Sequence, residues 1–221
     1  DYDRSSSVFA KLSSTDFTLE GGSVYRKKGI PTGSWGTIFN NPRSFTVDER
    51  AFLELKYERD FSNTNVMYRL SYDRYYYYGD FVYEDLLTSA LPITNKDSAH
   101  GDWLSGELKF TKKVLDRHKA TFGAEFQNSI RQNQHNYDEE PYSFQLDDKR
   151  RHGIQGLYFQ DEFGILKDLN VNAGVRYDPY DTFGGTMNPR VALLSNPAEK
   201  TTLKAIAGRA FRAPSAYELY W

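Results

Sequence analysis

The chain has 221 residues, with 28 Lys and Arg against 30 Asp and Glu and a net charge of −2, so it carries neither a bulk basic surface for nucleic acid nor an acidic tail. Cysteine is absent, which excludes a disulfide scaffold, a thiolate metal site and a Cys nucleophile. No apolar run approaches the ~18–20 residues of a spanning helix, yet a transmembrane β-wall, apolar at alternate residues only, would have this same composition of 39% hydrophobic and 16% aromatic residues.

In chain order, the periodicity is that of strands. Residues 7–13 and 17–26 alternate loosely. Ala51, Leu53, Leu55 and Tyr57 then alternate with Phe52, Glu54, Lys56 and Glu58, and Val66, Tyr68, Leu70 and Tyr72 with Met67, Arg69, Ser71 and Asp73. A weaker pattern covers 103–112. Ala120, Phe122, Ala124 and Phe126 follow, opposite Thr121, Gly123, Glu125 and Gln127. Beyond 153–163, Val171, Ala173, Val175 and Tyr177 face away from Asn172, Gly174, Arg176 and Asp178. Segments 189–194 and 201–211 complete the set. Period 2 with one apolar and one polar face predicts an all-β antiparallel up-and-down meander of about ten strands, most of them about 9–12 residues long. That is bilayer-crossing length, against about 5–6 in an ordinary globular strand.

Connections of two kinds take turns. Short ones fall at 14–16, 60–64, 114–117, 166–168 and 196–200, and long polar ones at 27–47, 79–101, 130–151 and, shorter, 182–188. In a meander this places every short turn at one end and every long loop at the other, as in transmembrane barrels. Aromatics bunch at strand ends: Tyr75, Tyr76, Tyr77, Tyr78 and Phe81 at a long-loop end, Phe61 and Phe163 beside short turns. They suit membrane-interface girdles, or equally a Tyr-rich β surface. The chain opens on Asp1-Tyr2-Asp3 and stops on Leu219-Tyr220-Trp221, which reads as an internal piece of a longer protein.

No catalytic constellation is present. His100, His118, His135 and His152 stand singly, without metal-ligand spacing, and His118 and His152 read as solvated. The carboxylates Asp138, Glu139, Glu140, Asp147 and Asp148 lack the pattern of a calcium loop. No cofactor, metal or enzymatic activity is expected. Pro189 reads as opening a strand and Pro214 as closing one. Arg190 falls on the polar face, suited to pairing with a carboxylate or an anionic ligand. Ligand-binding candidates gather at the long-loop end: Trp35, Arg43, Tyr77, Tyr78, Trp103, Arg131, Tyr137, Tyr142 and Arg212. Aromatic faces with nearby arginines suit a large, flat, anionic chelate through stacking and cation–π contacts; girdle and loop packing would use the same residues.

The C-terminal third narrows the field. Tyr158-Phe159-Gln160-Asp161-Glu162-Phe163, Gly174-Val175-Arg176-Tyr177-Asp178 and Asn188-Pro189-Arg190-Val191-Ala192-Leu193 come in order. Behind them stand Gly208-Arg209-Ala210-Phe211-Arg212-Ala213-Pro214-Ser215 and Tyr217-Glu218-Leu219. This series resembles the barrel of TonB-dependent outer-membrane receptors, and Gly29-Ile30-Pro31-Thr32-Gly33 and Asp48-Glu49-Arg50-Ala51-Phe52 resemble it less specifically. The resemblance implies that residues 1–221 are part of a 22-stranded transmembrane barrel of a Gram-negative outer membrane, without the plug domain and the box that contacts the TonB energy-coupling complex. It implies energy-coupled uptake of a scarce ligand, a ferric siderophore by preference, with haem, cobalamin or a glycan as other members' substrates. A passive outer-membrane pore and a soluble β-sheet binding module are the rival readings.

Overall fold

The computed structural model describes residues 2–84, 91–115, 117–180 and 184–220, the side chains of 216 and 220 excepted. Ten strands form one antiparallel sheet in sequence order: β1 (Asp3–Ser14), β2 (Phe17–Gly29), β3 (Phe45–Phe61), β4 (Thr64–Tyr83), β5 (Ile93–Val114), β6 (His118–Asp138), β7 (Ser143–Leu166), β8 (Leu169–Asp178), β9 (Thr186–Ala198) and β10 (Thr201–Gly208). A five-residue helix, α1 (Ala216–Tyr220), follows. No helix among the described residues is long and apolar enough to cross a membrane, which leaves a β-barrel open. The expected meander is therefore present, every strand pairing with its chain neighbour.

The middle strands differ from expectation. β4, β5, β6 and β7 have 20, 22, 21 and 24 residues. At about 3.3 Å per residue a strand of this length is roughly twice what a bilayer requires. Much of 79–101 and 130–151, expected as loop, is strand: 79–83 extends β4, 93–101 belongs to β5, 130–138 to β6 and 143–151 to β7. The connection between β6 and β7 is only 139–142, with a cis Glu140–Pro141 bond. The reason is physical. Apolar/polar alternation arises only where one face leaves water; above that level both faces are polar, and the ladder continues without a hydropathy signature. Amides take part there, Asn95 and Asn136 exchanging side-chain hydrogen bonds of 2.9 and 3.0 Å.

Both prolines also sit differently. Pro189 lies inside β9, not at its start, opposite Val175 of β8. Its carbonyl accepts from the Arg209 N–H at 2.9 Å, just past the last β10 pair. N–H and C=O of one residue point the same way in a strand, so the missing donor faces the end of a ladder and breaks none. Pro214 stands six residues beyond the end of β10 at Gly208 and closes no strand, and Phe211 lies outside the sheet.

Register fixes the faces. Leu53, Tyr72 and Leu104 are cross-strand neighbours, as are Phe122 and Phe159, and Val171 and Leu193. These residues line one apolar face, on which Leu53, Tyr72, Phe122, Phe159 and Leu193 are exposed. The opposite face carries a charge ladder. Arg69 lies 3.7 Å from Glu54 and 3.0 Å from Glu107, while Arg176 reaches Glu125 at 2.6 Å and Asp178 at 2.7 Å. Tyr158 donates to Glu107 at 2.6 Å, its ring crossing β6 over Gly123, where any Cβ would collide with it. Gly123→Leu therefore displaces Tyr158, and we expect it to lower unfolding stability of the intact protein by about 1–3 kcal/mol, against about 1 kcal/mol for Tyr158→Phe; urea titration of both compares overpacking with loss of the hydrogen bond alone.

Four of the six buried apolar residues among those described gather where the long connection 30–44 folds over the upper end of β4. Val82 and Ser44 are wholly buried, with Ile30, Val47 and Phe81 close to it. Ser44 Oγ accepts from the Val82 N–H at 3.1 Å, and the Ile38 N–H donates to the Val82 carbonyl at 2.8 Å. That connection is thus tied to the sheet.

Candidate functional site

The polar faces of β4, β5 and β6 meet, above the charge ladder, in a cavity of about 720 Å³. Tyr75 and Tyr77 come from β4, Asn95, Asp97 and Trp103 from β5, and Gln127, Ser129, Gln132 and Gln134 from β6. Trp35 descends from the 30–44 connection, and Tyr217 enters from α1. Trp35 packs edge-on against Phe81 at 5.6 Å between ring centres. Its own φ is +58°, between Gly33 at +63° and Gly36 at +82°. A left-handed turn at a bulky residue costs about 1–2 kcal/mol, and here the turn sets the indole at the cavity mouth.

Burial governs the electrostatics. It pushes the Tyr75 phenol up to about 12 and that of Tyr77 higher still, with Asp97 and Asp48 adding to both. Burial also raises the carboxyl of Asp97, against the opposing effect of hydrogen bonds from Asn136 and the Ser98 backbone. At neutral pH the tyrosines are neutral hydroxyls that donate and accept. The side-chain nitrogen of Gln134, a residue only 7% exposed, has no hydrogen-bond partner.

Of the residues expected at a ligand site, Trp35, Tyr77, Trp103 and Arg131 line this cavity. The Arg131 side chain, however, runs to Asp102, 3.3 Å away, and to His100 at 3.2 Å. Asp102 also receives Arg74 at 3.3 Å and the Tyr72 hydroxyl at 3.0 Å, and shares the apolar-face parity of Tyr72. Tyr78 does not line the cavity: its hydroxyl donates to Asp80 at 2.6 Å and meets Lys96 at 3.2 Å. Arg43 bonds Thr94, and Tyr137 packs against Tyr142 at 5.8 Å and His135 at 4.9 Å, away from the cavity. Arg190 lies on the polar face beside Gly174. Arg212 forms a two-pronged pair with Glu218 at 2.8 and 2.7 Å, holding that carboxyl at about 2.

Sequence reasoning missed Asp97, Gln132 and Gln134, because their stretches of β5 and β6 read as polar loop, and it took Tyr75 of β4 only as an aromatic at a strand end. It also missed a legible signal. Ser215 and Glu218 form a capping box: the Glu218 carboxylate accepts from the Ser215 N–H at 2.7 Å and Ser215 Oγ from the Glu218 N–H at 3.3 Å. Ser-x-x-Glu is the signature of a helix start, and it places Tyr217 at the cavity. His118, expected to be solvated, stacks on Phe163 at 4.4 Å and meets Asp161 at 2.6 Å. No group of three metal-ligating residues occurs among the described residues.

The family model for the TonB-dependent receptor-like β-barrel matches residues 1–221. The chain belongs to that family. TonB-dependent receptors are transport proteins of the Gram-negative outer membrane, and in such a barrel the apolar face of the wall meets lipid while the polar face lines the lumen. Over 66 residues it is 32% identical to the ferric enterobactin receptor of Pseudomonas aeruginosa, a match that spans 30% of this chain and 9% of that protein. A solved mutant of the P. aeruginosa ferric enterobactin receptor superposes at a TM-score of 0.69 with 19% identity, covering 98% of this chain and 34% of that one. The ferric citrate transporter, in its unliganded form, gives 0.72 with 12% identity over 93% and 36%. The ferric preacinetobactin receptor of Acinetobacter baumannii gives 0.56 with 15% identity over 92% and 39%. The receptor segment therefore spans about a third of the length of these solved chains and shares their fold.

Proposed function

We propose that the segment is ten strands of a 22-stranded outer-membrane barrel which, together with a plug domain outside these residues, imports a ferric siderophore using energy supplied through TonB. The support is the position of the cavity: on the lumen face, at the end of the long connections and above the apolar band, where an extracellular ligand would be caught first. Seven aromatic side chains line the cavity, and aromatic faces with neutral amides around them can stack on a flat chelate and bond its rim. The ferric-ligand receptors with the same fold supply the substrate class.

The full-length protein, expressed in a Gram-negative strain stripped of its own siderophore receptors, should restore accumulation of radioactive iron from ferric siderophores, and deletion of TonB should abolish it. Accumulation that survives the deletion would make the protein a passive pore. Trp103→Ala removes the largest stacking surface of the wall and should weaken ligand binding about 10-fold or more, read by titration of the purified receptor.

A further inference from the structure

Charge on the cavity wall narrows the ligand. The cations near it are committed to carboxylates: Arg50 to Asp73 at 3.6 Å, Arg131 to Asp102 at 3.3 Å and Arg150 to Asp148 at 2.6 Å. Two carboxylates on the lumen parity of β5 and β6 have only amides beside them. Asp97 is bonded by Asn136, and Asp138 accepts from Asn95 at 2.8 Å and Gln145 at 3.1 Å. Neither forms an ion pair among the described residues. Among the described residues this stretch of wall thus holds two carboxylates without a cation, while Arg131, which also lines the cavity, is held by Asp102. The wall's free donor is the neutral Gln134 amide, nine-tenths buried and unpartnered, which calls for an oxygen acceptor that needs no counter-charge.

We propose that the siderophore held against this wall is a ferric chelate without net negative charge, of the hydroxamate type, recognised by aromatic stacking and by amide donors to its carbonyl oxygens. The inference rests on the uptake reading above and opposes the anionic chelate that the sequence suggested. A polyanion brought against Asp97 and Asp138 meets like charge in a partly desolvated site, where repulsion is screened poorly; a neutral or cationic chelate meets none.

The test uses the full-length receptor in detergent, titrated with ferrioxamine B, a positively charged ferric trihydroxamate, and with ferric enterobactin, a strongly negative triscatecholate. The hydroxamate should bind at least ~10-fold tighter. Asp97→Asn should shrink that ratio, and raising the salt concentration should do the same. Gln134→Leu should weaken the hydroxamate while leaving the thermal unfolding midpoint in place. Tighter binding of the triscatecholate, or a ratio indifferent to Asp97→Asn and to salt, overturns the inference and leaves siderophore uptake standing. Failure to bind either chelate, together with TonB-independent iron accumulation, overturns both.

Discussion

Expressed alone and offered phospholipid vesicles, residues 1–221 will not insert as a monomer. β1 pairs only with β2 and β10 only with β9. Each outer edge therefore presents a row of backbone N–H and C=O groups with no strand beside it. Water satisfies such groups; hydrocarbon does not, at several kcal/mol for each group left bare. Even if only the lipid-facing half of each edge counts, the cost is roughly 20 kcal/mol or more, beyond what a domain's whole stability supplies. The expected products are aggregates or edge-to-edge oligomers, seen by sedimentation and by complete proteolysis of the vesicle-associated protein. A protease-protected monomer with full β-sheet circular dichroism would show that the edges are satisfied in some other way.

The second large effect concerns Arg176. Its guanidinium bridges Glu125 on β6 and Asp178 on β8, crossing β7 over Gly156, where a Cβ would strike it. Asp178 is 5% exposed. Arg176→Met keeps the stem and removes the charge, leaving two carboxylates facing each other on the lumen wall without a cation. Breaking such a pair from one side costs about 3–5 kcal/mol when buried, and the partial exposure of Glu125 puts the expectation near the lower figure. Urea unfolding of the full-length receptor in lipid should show that loss. The double variant Arg176→Met with Glu125→Gln should recover part of it, because the residual repulsion disappears. An unchanged midpoint in the single variant would mean that water or another strand already compensates the pair.

The membrane half of the wall was readable from the sequence because its physics writes itself into alternate residues. Val66, Tyr68, Leu70 and Tyr72 fall on the apolar face, and Arg69, Ser71 and Asp73 on the polar one, so a period of two is unavoidable. The upper half was not readable, because water lies on both sides of it: 93–101 and 130–138 look like loop and are paired strand. The candidate site suffers most, since it is built in that upper half. Trp35, Tyr77 and Trp103 were found as aromatics near long connections. Asp97 and Gln134 become neighbours of the cavity only once the register of β5 on β6 is known. Tyr78 shows the converse: one residue from Tyr77, it turns to the other face and pairs with Asp80. Arg131, too, lies at an irregularity in the β5–β6 register and projects toward Asp102, which parity counted along the chain does not reveal.

The central claim is that one face of this sheet meets lipid and the other lines a wet lumen, and it can be read strand by strand. The 221 residues contain no cysteine; with any cysteine elsewhere in the full-length receptor replaced, single cysteines can be placed along β4 in lipid and spin-labelled, and each label's relaxation by oxygen compared with that by a water-soluble nickel chelate. Val66→Cys, Tyr68→Cys, Leu70→Cys and Tyr72→Cys should respond to oxygen, and Arg69→Cys, Ser71→Cys and Asp73→Cys to nickel, the preference switching at every residue. Labels at the apolar positions that are shielded from both reagents, as in the core of a soluble sandwich, would contradict the account.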